Sequence, residues 1–336
     1  MMDRAASQSA AVAEPSTQRG LGALLSRLVS DYSTVVVLIV LALLFGLTSR
    51  YFFTLDNLGN ILRQMAIVGV LGIGMTMVVL IGGIDLSVGS VVLLTGAISG
   101  TLILNYEFNS WAAIAIGLIA AMFVGLLNGI LIEAALISPV IVTLGTLIAV
   151  RGAGQAILWI NNSWVWVTDP LFEAVAQEKL LFLPLISAVM FVLYAVAAIM
   201  LKRTPFGRYV YAIGGNQRAA HLAGLPVLRI KILVYVLSGL FAGIAGLLTA
   251  ARLGVIGPSV GQGMEFDAIT AVVLGGTRLS GGIGRVERTL VGTALLVMML
   301  NYLTIRGIPD IWQTAVVGFL ILGAVLLERL VRRGQS

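Results

Sequence analysis

The chain has 336 residues, of which 59% are hydrophobic and only 11% are charged, with a formal net charge of +6. Soluble domains carry about 25% charged residues, so the composition excludes an ordinary soluble domain and indicates an integral membrane protein. The basic excess does not indicate nucleic-acid binding, because the basic residues lie at the ends of apolar runs and in one loop, where they set membrane orientation. Cysteine is absent and His221 is the single histidine, so we expect no metal site.

Apolar runs of about 17–25 residues each predict a membrane-spanning helix, and the chain contains roughly ten of them. We therefore expect an all-α polytopic membrane domain over residues 32–330. Residues 1–31 and 331–336 are predicted to be cytoplasmic tails, the first of them disordered because it buries little apolar surface. The predicted spans are residues 34–50, 64–82, 86–104, 111–132, 139–160, 184–201, 231–250, 266–280, 289–306 and 312–328.

Residues 82–90, with the sequence GGIDLSVGS, separate the second predicted span from the third. Asp85 is the only charged residue in this segment and in the apolar runs beside it, and a carboxylate at the centre of a span costs about 2.5–3.5 kcal/mol. The glycines let the backbone leave helical geometry, which lipid tolerates only where protein or water satisfies the freed groups. Two interpretations stay open: a turn in which Asp85 and Ser87 cap the third span, or a substrate-path element formed by Gly82, Gly83, Asp85 and Ser87.

The segment 202–231 determines the predicted orientation. It contains six lysines and arginines and no acidic residue, so the positive-inside rule makes it a cytoplasmic loop. Counting spans from this loop puts both termini in the cytoplasm and residues 161–184 outside. Trp164 and Trp166 in the outer loop are typical of an anchor at the membrane interface, with a surface that meets an extracytoplasmic partner as the alternative.

Within the loop 202–231, a short helix is predicted. Gly214 and Gly215 are expected to interrupt the chain, Asn216 to cap the N-terminus of the helix, and Gly224 to end it. A helix of this kind between two spans is typical of a rigid lever that docks into a soluble partner. The alternative is a solvated linker that binds anionic lipid headgroups.

An internal similarity links residues 82–89 to residues 275–282, which read GGTRLSGG. Both segments follow an apolar run that travels inward in the predicted topology. The similarity indicates a duplicated half, with chance in a glycine-rich chain as the alternative, and it adds Gly275 and Gly276 to the candidate path residues. It also aligns Asp85 with Arg278, which suggests an ion pair across the repeat.

Three motifs now stand in order: GGIDLSVGS at 82–90, FGRYVYAIGGN at 206–216 with the Ala219-Ala220 pair and Gly224 after it, and FDAITAVVLGGTRLSGGIGR at 266–285. From about residue 35 to residue 329 the chain resembles the membrane permease of bacterial ABC importers of the ribose and monosaccharide type. The resemblance implies a homodimer in the inner membrane with about ten spans per subunit. It also implies two further partners, a cytoplasmic ATP-binding subunit and a periplasmic sugar-binding protein that delivers a pentose or hexose. The residues it implies for coupling to the ATPase are Gly214, Gly215, Asn216, Arg218, Ala219, Ala220 and Gly224.

The GxxxxGK[ST] pattern of a nucleotide-binding loop is absent from the sequence. We therefore expect the separate ATPase to use ATP and Mg²⁺, and this chain to be no enzyme and to hold no cofactor. One departure from the family pattern concerns coupling: an acidic residue usually precedes the alanine pair, where Gln217 and Arg218 stand here. The alternatives to a monosaccharide importer are an ion-coupled secondary transporter and the same importer type carrying inositol, an autoinducer furanose or a nucleoside.

Overall fold

The computed structural model describes the backbone of residues 21–333, and the side chains of residues 34–323 and of residue 326. This part of the chain is mostly helical, as predicted. Its helices are α1 (Leu21–Thr48), α2 (Leu55–Leu80), α3 (Val88–Tyr106), α4 (Ser110–Glu133), α5 (Pro139–Trp159), α6 (Pro170–Gln177), α7 (Leu185–Arg203), α8 (Pro205–Gly215), α9 (Gln217–Leu222), α10 (Val227–Leu253), α11 (Met264–Leu274), α12 (Val286–Ile305) and α13 (Asp310–Arg333).

Four strands of two residues each lie in the connections: β1 (Val165–Trp166), β2 (Lys179–Leu180), β3 (Leu183–Pro184) and β4 (Val255–Ile256). Strand β1 pairs antiparallel with β4, with Val165 opposite Ile256, and β2 pairs antiparallel with β3. The β1–β4 pair joins the predicted outer loop to the end of α10. The all-α prediction therefore describes the membrane helices and misses these short pairings.

Seven described helices are long and apolar enough to cross a membrane, namely α2, α3, α4, α5, α7, α10 and α12. Each corresponds to one predicted span. Shorter apolar helical stretches at Thr34–Thr48 and Asp310–Gly323 match the first and last predicted spans. The eighth predicted span, residues 266–280, is wrong as a continuous helix: α11 has 11 residues and ends at Leu274, so it is only about 16 Å long.

Two predicted boundaries need correction. Helix α1 begins at Leu21, so residues 21–31 of the predicted disordered tail are helical. Helix α13 extends to residue 333, into the predicted C-terminal tail. Residues 1–20 and 334–336 lie outside the described residues. The predicted loop 202–231 is largely helical, because Thr204 caps α8 by accepting a hydrogen bond from the Gly207 backbone N–H at 3.4 Å, with Pro205 in the first turn.

The core is built around α2 and α10. Of the apolar window in α2, 78% is buried, against 33% in α4 and 17% in α5. Glycines bring the central helices together: a Cβ at Gly74 of α2 would lie 3.0 Å from the Ser238 Cα of α10, and one at Gly125 of α4 would lie 2.2 Å from the Tyr235 carbonyl oxygen. These contacts fit the close helix packing that small residues allow in membranes.

Candidate functional site

Asp85 lies in the loop between α2 and α3 and is 1% exposed. Its Oδ1 accepts hydrogen bonds from the Ser87 backbone N–H at 3.0 Å and from the Ser87 hydroxyl at 2.6 Å. Its Oδ2 accepts a hydrogen bond from the Ser238 hydroxyl of α10 at 2.7 Å. Asn128 of α4 donates to the Ser87 hydroxyl at 2.9 Å. The Asp85 carboxylate thus connects the start of α3 to α10, and the Ser87 hydroxyl connects it to α4.

This arrangement favours the turn interpretation of the segment 82–90, with one correction. Ser87 stands at the N-cap position of α3, but its side chain makes no capping bond. The Ser87 hydroxyl instead donates a hydrogen bond to Asp85, whose carboxylate also accepts one from the Ser87 backbone N–H. In this conformation Asp85 is buried and hydrogen-bonded by protein groups, as a polar residue inside a membrane domain requires.

Gly82 and Gly83 are required by backbone geometry. Gly82 has φ +76° and follows the last turn of α2, where its N–H donates to the Val79 carbonyl at 2.9 Å and the Gly83 N–H donates to the Val78 carbonyl at 2.9 Å. These two bonds form a Schellman motif, which places glycine at the left-handed position. A Cβ at Gly83 would lie 2.5 Å from the Tyr235 hydroxyl.

The end of α11 repeats this motif. Gly276 has φ +80°, its N–H donates to the Val273 carbonyl at 2.8 Å, and the Thr277 N–H donates to the Val272 carbonyl at 3.2 Å. The equivalent of Gly82 is therefore Gly276, one residue later than the alignment of the two motifs suggests. The sequence alignment is displaced by one residue because both segments begin with a pair of glycines.

With this register, Arg278 is no longer opposite Asp85. Both carboxylate oxygens of Asp85 are bound by serines. Ion pairs that do form among the described side chains include Lys202–Glu287 and Lys231–Glu133. The suggested Asp85–Arg278 pair is thus not formed in this part of the chain.

The predicted coupling segment forms two helices rather than one. Gly214 and Gly215 close the last turn of α8, and the break falls at Asn216, with φ −161° and ψ 99°. The Asn216 side chain accepts a hydrogen bond from the Ala219 backbone N–H at 3.0 Å, which confirms the predicted N-cap. Gly224, with φ +77°, follows α9.

Helix α9 presents most of its side chains to the outside. Ala220 is buried, whereas Arg218 and Ala219 are exposed. Leu222 is 81% exposed. The sequence analysis did not predict this exposure, although an apolar residue in a short polar helix could have indicated it. A single exposed leucine is common on protein surfaces and does not by itself mark a partner site.

The start of α9 lies beside a buried ion pair. Lys231, in the first turns of α10, forms a buried ion pair with Glu133 at the end of α4. The same ammonium donates a hydrogen bond to the Gln217 side-chain oxygen at 3.2 Å. The positive charge beside the start of α9 is therefore balanced from α4.

Three segments that the sequence singled out separately meet at one point. A Cβ at Gly214 would lie 1.8 Å from the Leu80 carbonyl oxygen, and the Gly282 N–H donates to the same oxygen at 2.9 Å. A Cβ at Gly281 would lie 3.0 Å from both the Gly214 carbonyl oxygen and the Gly82 nitrogen. We call Leu80, Gly82, Gly214, Gly281 and Gly282 the glycine junction.

A second set of polar groups was largely missed in the sequence. Arg151 and Gln155 of α5 donate to the backbone carbonyls of Val260 and Pro258, both at 3.4 Å. Gln155 is exposed and Arg151 half-buried, while Ser259 and Gln262 in the facing loop are exposed. We call Arg151, Gln155, Ser259 and Gln262 the polar surface. An arginine within a span was the available signal.

The polar surface lies beside the N-terminal end of a short helix. Helix α11 is about 16 Å long, roughly half of a 30 Å hydrocarbon core, and its C-terminal end leads into the loop with the glycine junction. Its N-terminal end follows the irregular segment 257–263, which comes directly after β4. Irregular backbone inside a membrane is tolerated only where it is buried or lines a water-filled cavity.

Comparison with known proteins gives a consistent result. Over residues 57–325 the chain matches the family described as "Branched-chain amino acid transport system / permease component". It is 37% identical to the ribose import permease protein RbsC of Escherichia coli (strain K12), over 89% of this chain and 93% of that protein. It is 35% identical to the L-arabinose ABC transporter permease protein AraH of Azospirillum brasilense, over 98% and 95% of the two chains. No solved structure matches the chain.

Proposed function

Because the chain belongs to the family of permease components described for branched-chain amino acid transport systems, we propose that it is the membrane permease of an ATP-driven importer in the bacterial inner membrane. The alignment over nearly the whole chain with permeases named for ribose and L-arabinose carries this proposal. A relative named for D-allose, 31% identical, supports the same substrate class. The family description names amino acids, but these full-length relatives are named for sugars, so we assign a pentose or hexose.

The polar surface is the part of the chain best suited to a sugar. Monosaccharides carry hydroxyl groups that both donate and accept hydrogen bonds, and the side chains of Gln155, Ser259 and Gln262 offer both kinds of group. Arg151 adds a donor. The path candidates from the sequence do not line this surface in our proposal; they shape the caps of α2 and α11, which support it. These residues are Gly82, Gly83, Asp85, Ser87, Gly275 and Gly276.

Helix α9 is the element that the ATP-binding subunit receives. Its exposed Arg218, Ala219 and Leu222 form the contact, while the buried Ala220 and the capped Asn216 hold the helix in place. The six basic residues of 202–231 favour a cytoplasmic position for α9, with both termini on that side and ten membrane passages. Two copies of the chain enclose the path, and a periplasmic binding protein delivers the sugar to the face that carries β1 and β4.

The energy source distinguishes this proposal from a secondary transporter. Labelled ribose, arabinose, allose and inositol should be supplied to cells that express the chain with its own ATP-binding and binding-protein partners. We expect uptake of at least one pentose or hexose to stop on ATP depletion and to continue after the proton and sodium gradients are collapsed. Uptake that follows the gradients and survives ATP depletion would show an ion-coupled transporter instead, and uptake of inositol alone would reassign the substrate.

A further inference from the structure

We propose that the glycine junction is the mechanical link through which α9 moves the loops that support the sugar path. The inference rests on the proposed function and adds to it the residues that carry the motion. Gly214 stands two residues before Asn216, and α9 begins directly afterwards. Asn216 is the single extended residue between α8 and α9. A displacement of α9 by a cytoplasmic partner is therefore passed through Asn216 to the end of α8, where Gly214 lies.

The contact at Gly214 is suited to transmit a displacement. Its Cα packs so closely on the Leu80 carbonyl oxygen that a Cβ would lie 1.8 Å away. The same carbonyl accepts the hydrogen bond from Gly282, so at this point the ends of α8 and α2 and the loop 275–285 touch through backbone atoms. Packed backbone has no rotamers with which to absorb a shift, unlike a contact between long side chains.

Helix α8 is attached to the loop 275–285 at a second point. The Tyr211 hydroxyl donates to the Gly284 carbonyl at 2.9 Å. Nearby, Lys202 at the end of α7 pairs with Glu287 in the first turn of α12. Movement of α8 therefore acts on the loop before α12 as well as on the end of α2.

The link continues from the junction to the polar surface. Beyond Gly82 the chain runs through Asp85, bound to α10, into α3. A Cβ at Gly89 of α3 would lie 2.2 Å from the Glu265 carboxylate and 2.3 Å from the Gly261 carbonyl oxygen. The first turn of α3 thus packs against the irregular segment 257–263 that carries Ser259 and Gln262.

Two adjacent glycines provide a matched test. A methyl group at Gly214 meets the Leu80 carbonyl, whereas one at Gly215 meets nothing within 4 Å. In the purified chain, hydrogen–deuterium exchange reports the junction directly, because the Gly282 N–H is one of its bonds. We expect Gly214→Ala to speed exchange in residues 279–284 by about ten-fold, with Gly215→Ala unchanged. Wild-type exchange in Gly214→Ala, or equal changes in both variants, would overturn the junction.

The transport measurement tests transmission. With both partner proteins present, Gly214→Ala is expected to keep the ATP-binding subunit bound and to import about ten-fold fewer labelled sugar molecules per ATP hydrolysed than the wild type. Normal import by Gly214→Ala despite faster exchange would overturn the inference. If the wild-type chain imports no sugar, the proposed function fails instead, and the exchange comparison still decides whether the junction exists.

Tyr211→Phe keeps the inference falsifiable if Gly214→Ala does not fold. It removes one hydrogen bond to Gly284 and keeps the aromatic ring, so folding should be retained. We expect exchange in residues 279–284 to rise by about three-fold and import per ATP to fall by a similar factor. A folded Tyr211→Phe chain with wild-type values for both would count against the link.

Discussion

The loop 81–87 and the loop 275–285 begin alike and then diverge. Each starts with a Schellman motif at the end of an apolar helix, with Gly82 and Gly276 at matching left-handed positions. The first loop is then fixed by the buried carboxylate of Asp85 and hydroxyl groups from its own chain and α10. The second is held at backbone groups, by the Leu80 carbonyl, which accepts from the Gly282 N–H, and by the Tyr211 hydroxyl, which donates to the Gly284 carbonyl. Similar caps thus support one loop anchored in the core and one attached to α8.

The largest expected effect comes from removing the anchor of the first loop. Asp85→Ala leaves two hydroxyl groups and one backbone N–H without their acceptor, and each buried unsatisfied group costs about 1–3 kcal/mol. We expect a strong loss of folded protein, measured by fluorescence-detected gel filtration of detergent extracts. Arg278→Ala in the second loop is the matched control and should keep normal yield.

Asp85→Asn separates anchoring from a role in the path. The amide oxygen still accepts from Ser87, and the amide group can donate to the Ser238 hydroxyl, so folded yield should stay near normal. The structure favours uptake near the wild-type rate, because the carboxylate is enclosed by its partners. Severe loss of uptake in a well-folded Asp85→Asn chain would support the substrate-path interpretation instead.

A smaller effect is expected at Gly83. A valine there would place its Cβ against the Tyr235 hydroxyl, and overpacking of this kind costs about 1–3 kcal/mol. We predict a lower melting temperature for Gly83→Val, measured in detergent. A fully stable and active Gly83→Val chain would show that the first loop is not held tightly against α10.

The two caps can be compared directly by alanine substitution. Gly82 and Gly276 both have positive φ, and a Cβ at either position would meet no close neighbour. The left-handed conformation costs an L-residue about 1–2 kcal/mol, so Gly82→Ala and Gly276→Ala should destabilise the chain equally in thermal unfolding. Unequal losses would indicate that the caps are not equivalent. Gly275→Ala differs in mechanism, because its Cβ would lie 2.7 Å from the Arg288 carbonyl oxygen.

The sequence predicts the helices well because spans depend on long apolar runs. Seven membrane-length helices were predictable for this reason, and the cap at Asn216 was predictable because asparagine is a favoured N-cap residue. The end of α11 at Leu274 was not, because the glycine pair that follows it occurs inside membrane helices as well, and only backbone geometry distinguishes a Schellman motif from a continued helix. The polar surface was missed for a related reason: Arg151 and Val260 are far apart in the chain, and their contact depends on how α11 is packed.

The orientation of the chain in the membrane is the last prediction, because labelling it should change neither stability nor folding. It decides whether α9 and the two loops lie on the side of the ATP-binding subunit. Because the chain has no cysteine, single cysteines at Ala219 and Ser163 can be labelled without background. We expect an impermeant thiol reagent, added to cells with a permeabilised outer membrane, to label Ser163→Cys and to leave Ala219→Cys unlabelled until the inner membrane is opened. Each cation of 202–231 gains about 1 kcal/mol near an anionic cytoplasmic leaflet, which favours this orientation. The reverse labelling pattern would place the glycine junction outside the cell, where no ATP-binding subunit could act on α9.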